Sequence, residues 1–340
     1  MEALVSAVNH RFVLAERPVG LPTRSAWNYL EEPVREPAEN EIGVRILYIS
    51  LDPAMRGWMV DRRSYIPPVQ IGEVMRALGL GRVVASRNPK FAVGDYVYGA
   101  LGVQEYAVNN GSGMRRVDPK AAPLTVYLSA LGMPGMTAYF GLVDIGKPQP
   151  GETLVISGAA GAVGALVGQI GKIHGCRVIG IAGGPEKCKY LKDLGFDVAI
   201  DYKAAGNIYR ALQEHCPKGL DIYFDNVGGD MLEAALALLA KKARVVICGA
   251  ISGYNATTPP KGPANYLSLL VNNASMTGFT IGDYVPRWGE ALAQLAAWYA
   301  SGQLKSREHV VEGIEKFPET LLMLFSGENH GKLVLKVADP

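Results

Sequence analysis

The residues best suited to chemistry lie in the stretch Thr153-Leu-Val-Ile-Ser-Gly-Ala-Ala-Gly-Ala-Val-Gly164. A β-branched apolar run leads into a turn of small residues, and a helical pattern follows. A strand, tight turn and helix in that order bring backbone N–H groups and a positive helix end close to a phosphate. Within the turn, Ala159, Ala160 and Gly161 let the chain reverse beside a pyrophosphate, Ala162 and Val163 open the helix, and Gly164 permits close packing. The first glycine of the usual G-x-G-x-x-G is Ala159 here, with Gly158 beside it. The same small residues also serve wherever a helix packs tightly on a strand. The next apolar run, 177–182, ends at Gly183-Gly184-Pro185-Glu186-Lys187, about twenty residues beyond the last motif glycine. An acid at that strand end would bind a ribose 2′-hydroxyl. This chain has two glycines, a helix-starting proline and Lys187, with Lys189 and Lys192 close behind. Lysine attracts a 2′-phosphate that an acid would repel, which favours NADPH over NADH, although such lysines also suit a solvated helix face.

Other chemistries find little support. Cys176, Cys188, Cys216 and Cys248 match no zinc spacing, and the five histidines include no H-x-x-x-H pair, so no metal site is expected. Net charge is +2, with 34 basic and 32 acidic residues and no basic tract, so no nucleic-acid partner is expected. No apolar run is long enough to span a membrane, and the N-terminus lacks a basic start and long apolar stretch. A reduced, cytoplasmic protein is the expectation.

The chain has 340 residues, 49% of them hydrophobic and 19% charged, enough for two domains with substantial cores. The first 120 or so are rich in short β-like runs such as 41–50, 79–85 and 93–99, which suggests a partly closed β-domain. A helical stretch is expected over 124–142. Strand-like runs at 153–157, 177–182, 197–200, 220–225, 243–248 and 275–281 then alternate with helical patterns at 162–174, 185–194, 205–215 and 229–241. That alternation predicts a doubly wound parallel sheet covered on both faces. A further helix is expected at 285–301. The tail 331–337 reads as a strand returning to the first domain, with the active cleft expected between the domains.

Segments along nearly the whole chain carry a resemblance: Leu51-Asp-Pro-Ala-Met-Arg-Gly57, Leu131-Gly-Met-Pro-Gly-Met-Thr-Ala-Tyr-Phe-Gly141, Ala159-Ala-Gly-Ala-Val-Gly164, Asn226-Val-Gly-Gly229, Cys248-Gly-Ala-Ile-Ser-Gly-Tyr-Asn255 and Asn329-His-Gly-Lys332. Together they resemble the zinc-independent branch of the medium-chain dehydrogenases/reductases, in its prostaglandin reductase, curcumin reductase and alkenal double-bond reductase group. The resemblance implies an α/β architecture: a GroES-like, partly closed β-barrel domain over 1–122 and 308–340, and a Rossmann NADPH-binding domain over 123–307. It implies NADPH-dependent reduction of the C=C bond of α,β-unsaturated aldehydes and ketones, with hydride delivered to the β-carbon and a homodimeric assembly. Charge then develops on the carbonyl oxygen, which needs a donor in a dry pocket.

Site residues follow from the same resemblance. Tyr266 matches a tyrosine supporting the ribose hydroxyl that serves as that donor, and Tyr65 matches a substrate-side tyrosine. Tyr254 follows the fifth strand, where ligand crevices lie, and is a candidate for both catalysis and cofactor binding. Lys187 and Tyr202, with Gly183 at the strand end, match the 2′-phosphate site. Met133 and Thr137 match nicotinamide-side positions, and Asn226 and Val227 match a cofactor-side turn after the fourth strand. Cys248, Gly249 and Ile251 match cofactor-side positions after the fifth. Phe279 and Ile281 match the segment whose backbone reads the carboxamide, and Asn329 an asparagine near the cofactor phosphate. Read without the family, most of these tyrosines are amphipathic packing, Asn226 and Asn329 are turn formers, and Met133 is core. Ala54 stands where many relatives have tyrosine, so a widened pocket and an altered substrate preference are expected. Asp52 and Arg56 read as a turn and an ion pair. A quinone reductase of the same superfamily and a non-catalytic NADPH-binding protein remain alternatives at this stage.

Overall fold

A computed structural model describes residues 7–340; the first six, read above for a targeting segment, lie outside them. The chain divides into two units, one reaching Leu128 and resumed by Glu308–Pro340, the other spanning Ser129–Arg307.

The first unit opens with strands β1 (Val8–Leu14), β2 (Trp27–Pro33) and β3 (Ile42–Ser50), the short helix α1 (Ala54–Trp58), then β4 (Leu78–Ser86), β5 (Tyr96–Ala100), β6 (Tyr106–Asn109) and β7 (Arg115–Val117). β1 and β2 form a separate antiparallel pair. β3 is buried along most of its length, which is why it reads as an almost continuous apolar run. Two register breaks between β3 and β4 bend the sheet, as partial closure requires.

In the second unit, α2 (Met133–Phe140) precedes β8 (Thr153–Ile156), α3 (Ala162–Ile173), β9 (Arg177–Ala182), α4 (Pro185–Asp193), β10 (Val198–Asp201), α5 (Ile208–His215) and β11 (Leu220–Asp225). There follow α6 (Gly229–Leu236), β12 (Leu239–Ile247), α7 (Ser268–Asn272), β13 (Ser275–Gly278) and α8 (Trp288–Ala300). The six strands run in the order β10-β9-β8-β11-β12-β13, all parallel. This is the doubly wound Rossmann arrangement, whose order reverses between β8 and β11. Ligands in such sheets meet the carboxyl ends of the strands at that reversal, where Ser157–Gly161 and Asn226–Gly228 both stand.

The remaining elements, β14 (Glu308–Glu312), α9 (Phe317–Ser326) and β15 (Lys332–Lys336), rejoin the first unit. β15 pairs antiparallel with β3 and completes a sheet of order β14-β15-β3-β4-β5-β7, with β6 also on β3. From α9, Phe317 packs on Phe12 and edge-on to Trp27, at ring distances of 5.2 and 4.9 Å.

Several expected elements end elsewhere. The stretch 124–142 is not one helix: a 3-10 turn (Leu124–Leu128) stays in the first unit, Gly132 is extended, and α2 starts beside Pro134. The proline supplies a fitting first-turn residue without an N–H. Beyond it the chain widens into a π-turn, Gly141–Gly146. The helical pattern at 229–241 stops at Leu236, because Leu239 is drawn into parallel register with Leu220 and a bulge follows, with Lys242 at φ 63°. Non-local pairing overrides local periodicity there. The strand expected to reach residue 281 ends at Gly278, and α8 begins only at Trp288, after a 3-10 turn containing Pro286.

Candidate functional site

β8 delivers the chain into the glycine turn. Gly158, not Ala159, takes the left-handed conformation, at φ 59°. Ala159 is buried instead and donates its N–H to Ile181 O at 3.0 Å, which ties the turn to β9. Gly161 is the extended cap of α3, so the N–H groups of Ala162, Val163 and Gly164 open the helix without acceptors inside it. A Cβ on Gly164 would sit 2.5 Å from Gly158 O and 2.8 Å from Ala159 Cα. The glycine lets α3 press against the turn, so the helix end and the turn form one cradle of N–H donors. Such a cradle suits a pyrophosphate.

The ends of β9 and β10 make a second, cationic corner. A Cβ on Gly183 would lie 2.8 Å from the Tyr202 ring and 3.0 Å from Lys203 Cε, so both side chains pass over this glycine. Asp201 Oδ1 accepts from the N–H groups of Gly184 (2.9 Å) and Lys203 (3.0 Å) and pins the two loops together. Those N–H donors, that of Gly184 first, hold the Asp201 carboxyl below its ordinary range. Lys187, half-buried in the first turn of α4, has its pKa lowered by burial and then by the charge of Lys203. Lys189 and Lys192 turn elsewhere, to Asp193 Oδ2 (2.7 Å) and Asp197 O (2.5 Å). Lys203 and Asp201 were not singled out from the sequence. Their signal is only that a strand predicted at 197–200 ends beside them.

At the sheet reversal, Asp225 gathers three loops. It is 1% exposed, and its Oδ1 accepts from Ser157 Oγ (2.8 Å), Val227 N (3.1 Å), Gly228 N (3.0 Å) and Tyr223 OH (3.2 Å). Its carbonyl receives Cys248 N and Gly249 N at 2.9 and 3.0 Å. Burial pushes the Asp225 carboxyl up, while the surrounding donors oppose that shift. Asn226 adds an Nδ2 bond to Ser157 O at 2.7 Å, and Ile251 N reaches Asn226 O at 3.2 Å. Asn226, Val227, Cys248, Gly249 and Ile251 are therefore brought together. Asp225, which organises them, escaped the sequence reading because an acid at a strand end carries no sign of its burial.

The remaining second-unit residues are dispersed over other elements. Met133 and Thr137 stand one turn apart on α2, joined by a Thr137 Oγ1 bond to Met133 O at 2.8 Å. The Phe279 ring reaches the end of α2, where a Cβ on Gly141 would touch it at 2.7 Å, and Ile281 O accepts from Trp288 Nε1 at 3.4 Å. Tyr254 folds back so that its hydroxyl receives Ala250 N–H at 3.3 Å. Tyr266 is 59% exposed, just ahead of α7, among the exposed Leu267, Leu270 and Val271.

Two sequence-predicted residues lie in the first unit. Tyr65 is 65% exposed, and its hydroxyl accepts from Trp58 Nε1 at 3.2 Å. Asn329 bonds Gly331 O at 3.0 Å as a turn former would. The expected Asp52–Arg56 pair is replaced by other contacts. Asp52 binds Lys332 Nζ (2.6 Å) and Ser50 Oγ (2.5 Å), while Arg56 donates to Gly20 O and Pro18 O. The pairing of β15 with β3 brings Lys332 to Asp52, a contact that sequence order hides. Among the described residues, no group of three or more His, Cys, Asp or Glu is placed to hold a metal ion, and no helix is long and apolar enough to cross a membrane.

Comparison with known proteins agrees with this geometry. A family profile described as "N-terminal domain of oxidoreductase" matches residues 10–117, and one described as "Zinc-binding dehydrogenase" matches 162–297. The chain is 44% identical over 336 residues to the NADPH-dependent curcumin reductase of Escherichia coli, covering 97% of each protein. It is 39% identical over 334 residues to prostaglandin reductase 1 of Bos taurus, covering 96% of this chain and 98% of that one. The crystal structure of CurA from Vibrio vulnificus in complex with NADPH superposes with a TM-score of 0.92 at 45% identity, over 97% of this chain and 100% of that one. With likeness of this extent along both units, the chain belongs to the zinc-independent medium-chain dehydrogenases/reductases, as an oxidoreductase of the curcumin, prostaglandin and alkenal reductase group.

Proposed function

We propose that this chain catalyses NADPH-dependent reduction of the C=C bond of α,β-unsaturated aldehydes and ketones, with hydride transfer to the β-carbon. The observation that carries the reading is the cationic corner, where Tyr202 and Lys203 pass over Gly183 and Lys187 stands near enough to feel the charge of Lys203, together with the N–H cradle of α3. That donor set fits a nucleotide bearing both a pyrophosphate and a 2′-phosphate. The double-bond reductases among its relatives supply the substrate class. NADPH, when bound, supplies the hydride.

The residues of the chain bind and orient. In this reading Ala160, Gly161, Ala162, Val163 and Gly164 hold the pyrophosphate, and Gly183, Lys187 and Tyr202 hold the 2′-phosphate. Met133, Thr137, Phe279 and Ile281 form the nicotinamide side, Asn226, Val227, Cys248, Gly249 and Ile251 are further cofactor contacts, and Asn329 is a phosphate contact. As charge grows on the carbonyl oxygen, a hydroxyl donor stabilises it. Tyr254, whose hydroxyl oxygen accepts from Ala250 N–H, is assigned a donor role. Tyr266 is assigned the supporting role and Tyr65 a substrate contact. Tyr266→Phe is expected to lower kcat by about 1–3 kcal/mol of barrier; an unchanged kcat would leave that tyrosine a packing residue.

Product analysis with stereospecifically deuterated NADPH tests the whole reading. The label is expected at the β-carbon of the saturated product, with turnover across an enone panel. Quinone turnover without enone turnover would replace the reading by quinone reduction. Tight NADPH binding with neither turnover would make the chain a nucleotide-binding protein.

The proposal includes a homodimer. β13 is an edge strand that carries the exposed Met276, and it lies close in the chain to the exposed apolar side chains of Leu267, Leu270 and Val271. An unpaired edge with an apolar margin invites pairing with its own copy, and light scattering at twice the chain mass is the expected result. A cytoplasmic setting completes the reading. Burial pushes the Cys176 and Cys216 thiols up to about 11, which suits unreactive core thiols in a reducing compartment.

A further inference from the structure

We propose that Lys203 is a second cation of the 2′-phosphate site, so that two separate loops share discrimination for the phosphorylated nucleotide. The inference rests on the NADPH reading above and adds to it a specificity-determining residue from a different strand end.

β10 runs parallel to β9 with Asp201 level with Ala182, so the residues after each strand meet side by side. Lys203 Cε comes within 3.0 Å of the place a Gly183 Cβ would occupy, next to the Tyr202 ring at 2.8 Å. The glycine leaves a floor over which a phenol and an ammonium stem converge. Asp201 fixes this approach from behind. Its Oδ1 is engaged by the backbone N–H groups of Gly184 and Lys203, so the acid stabilises the loops. Lys187 enters from the first turn of α4, close enough for Lys203 to disfavour its charged form. Two ammonium groups near enough to feel each other repel, and a phosphate dianion between them turns that repulsion into attraction to both. The other lysines of α4 do not serve this purpose, since Lys189 and Lys192 bind Asp193 and Asp197. The second charge therefore comes from the β10 loop. Lys203 is exposed while Lys187 is half-buried, so its contribution is the smaller and the more readily screened by salt.

Equilibrium titration of the full-length protein, followed by nucleotide fluorescence, tests this with NADPH and NADH at low and high ionic strength. Lys203→Ala is expected to weaken NADPH binding roughly fivefold to tenfold at low salt, less at high salt, and to leave NADH binding unchanged. Lys203→Arg is expected to stay near the parent protein for both nucleotides. Unchanged NADPH binding by Lys203→Ala, or an equal loss for NADPH and NADH, overturns the inference. Lys187→Ala, run in parallel, separates the two levels. If it loses NADPH selectively and Lys203→Ala does not, Lys203 is excluded while the nucleotide reading stands. If neither variant discriminates, the 2′-phosphate reading itself falls.

Discussion

Replacing Lys187 by alanine is expected to raise the KM for NADPH roughly ten- to hundredfold while moving that for NADH little. Truncating one partner of a charge-assisted bond costs about 1.5–3 kcal/mol, and each 1.4 kcal/mol or so is a factor of ten. Lys187 belongs in that range because it is half-buried and its ammonium is already disfavoured by burial and by Lys203. A dianion alongside offsets both terms, so the lysine has more to gain from the ligand than a fully hydrated cation would. NADH lacks the 2′-phosphate and cannot register the loss. Steady-state kinetics with both nucleotides decide the matter. Equal changes in the two KM values would make Lys187 a general surface charge and remove the basis for preferring NADPH.

Gly164→Ala is expected to weaken NADPH and NADH binding alike, by more than about tenfold, and to lower the melting temperature. Two effects compete. Alanine inside a helix is ordinarily favoured over glycine by about 1 kcal/mol. Here its Cβ would stand 2.5 Å from Gly158 O and 2.8 Å from Ala159 Cα, both backbone atoms with no rotamer to relieve the contact. Overpacking of that kind costs typically 1–3 kcal/mol, which exceeds the propensity gain. It is relieved by moving α3 away from the turn, and that movement spreads the N–H donors apart. Both nucleotides carry the pyrophosphate, so both lose. The pattern is opposite to that of Lys187→Ala, and titration with the two nucleotides together with a thermal melt distinguishes them. A variant that binds as the parent does and melts higher would show that the helix does not need this close approach.

The residues that act through local geometry were visible in the sequence. Gly164, the small-residue turn, the alternation of strand and helix, and the lysine beyond the second strand are all set by neighbours a few positions away. Even there, Ala159 was given a turning role that belongs to Gly158, because residue type alone does not say which of two adjacent small residues adopts positive φ. Tertiary pairing decided the rest. The helix expected to reach residue 241 gave way at Leu236 because Leu220 drew Leu239 into the sheet. Lys203 reached Gly183 because β10 lies beside β9. Asp52 took Lys332, and not Arg56, because β15 returns against β3. Asp225 became the tie of three loops through burial at the reversal of strand order. Backbone preference and side-chain period are short-range properties, and a sequence states them directly. Which strand ends become neighbours depends on burying two faces of a sheet at once, and that choice is made only when the whole chain packs.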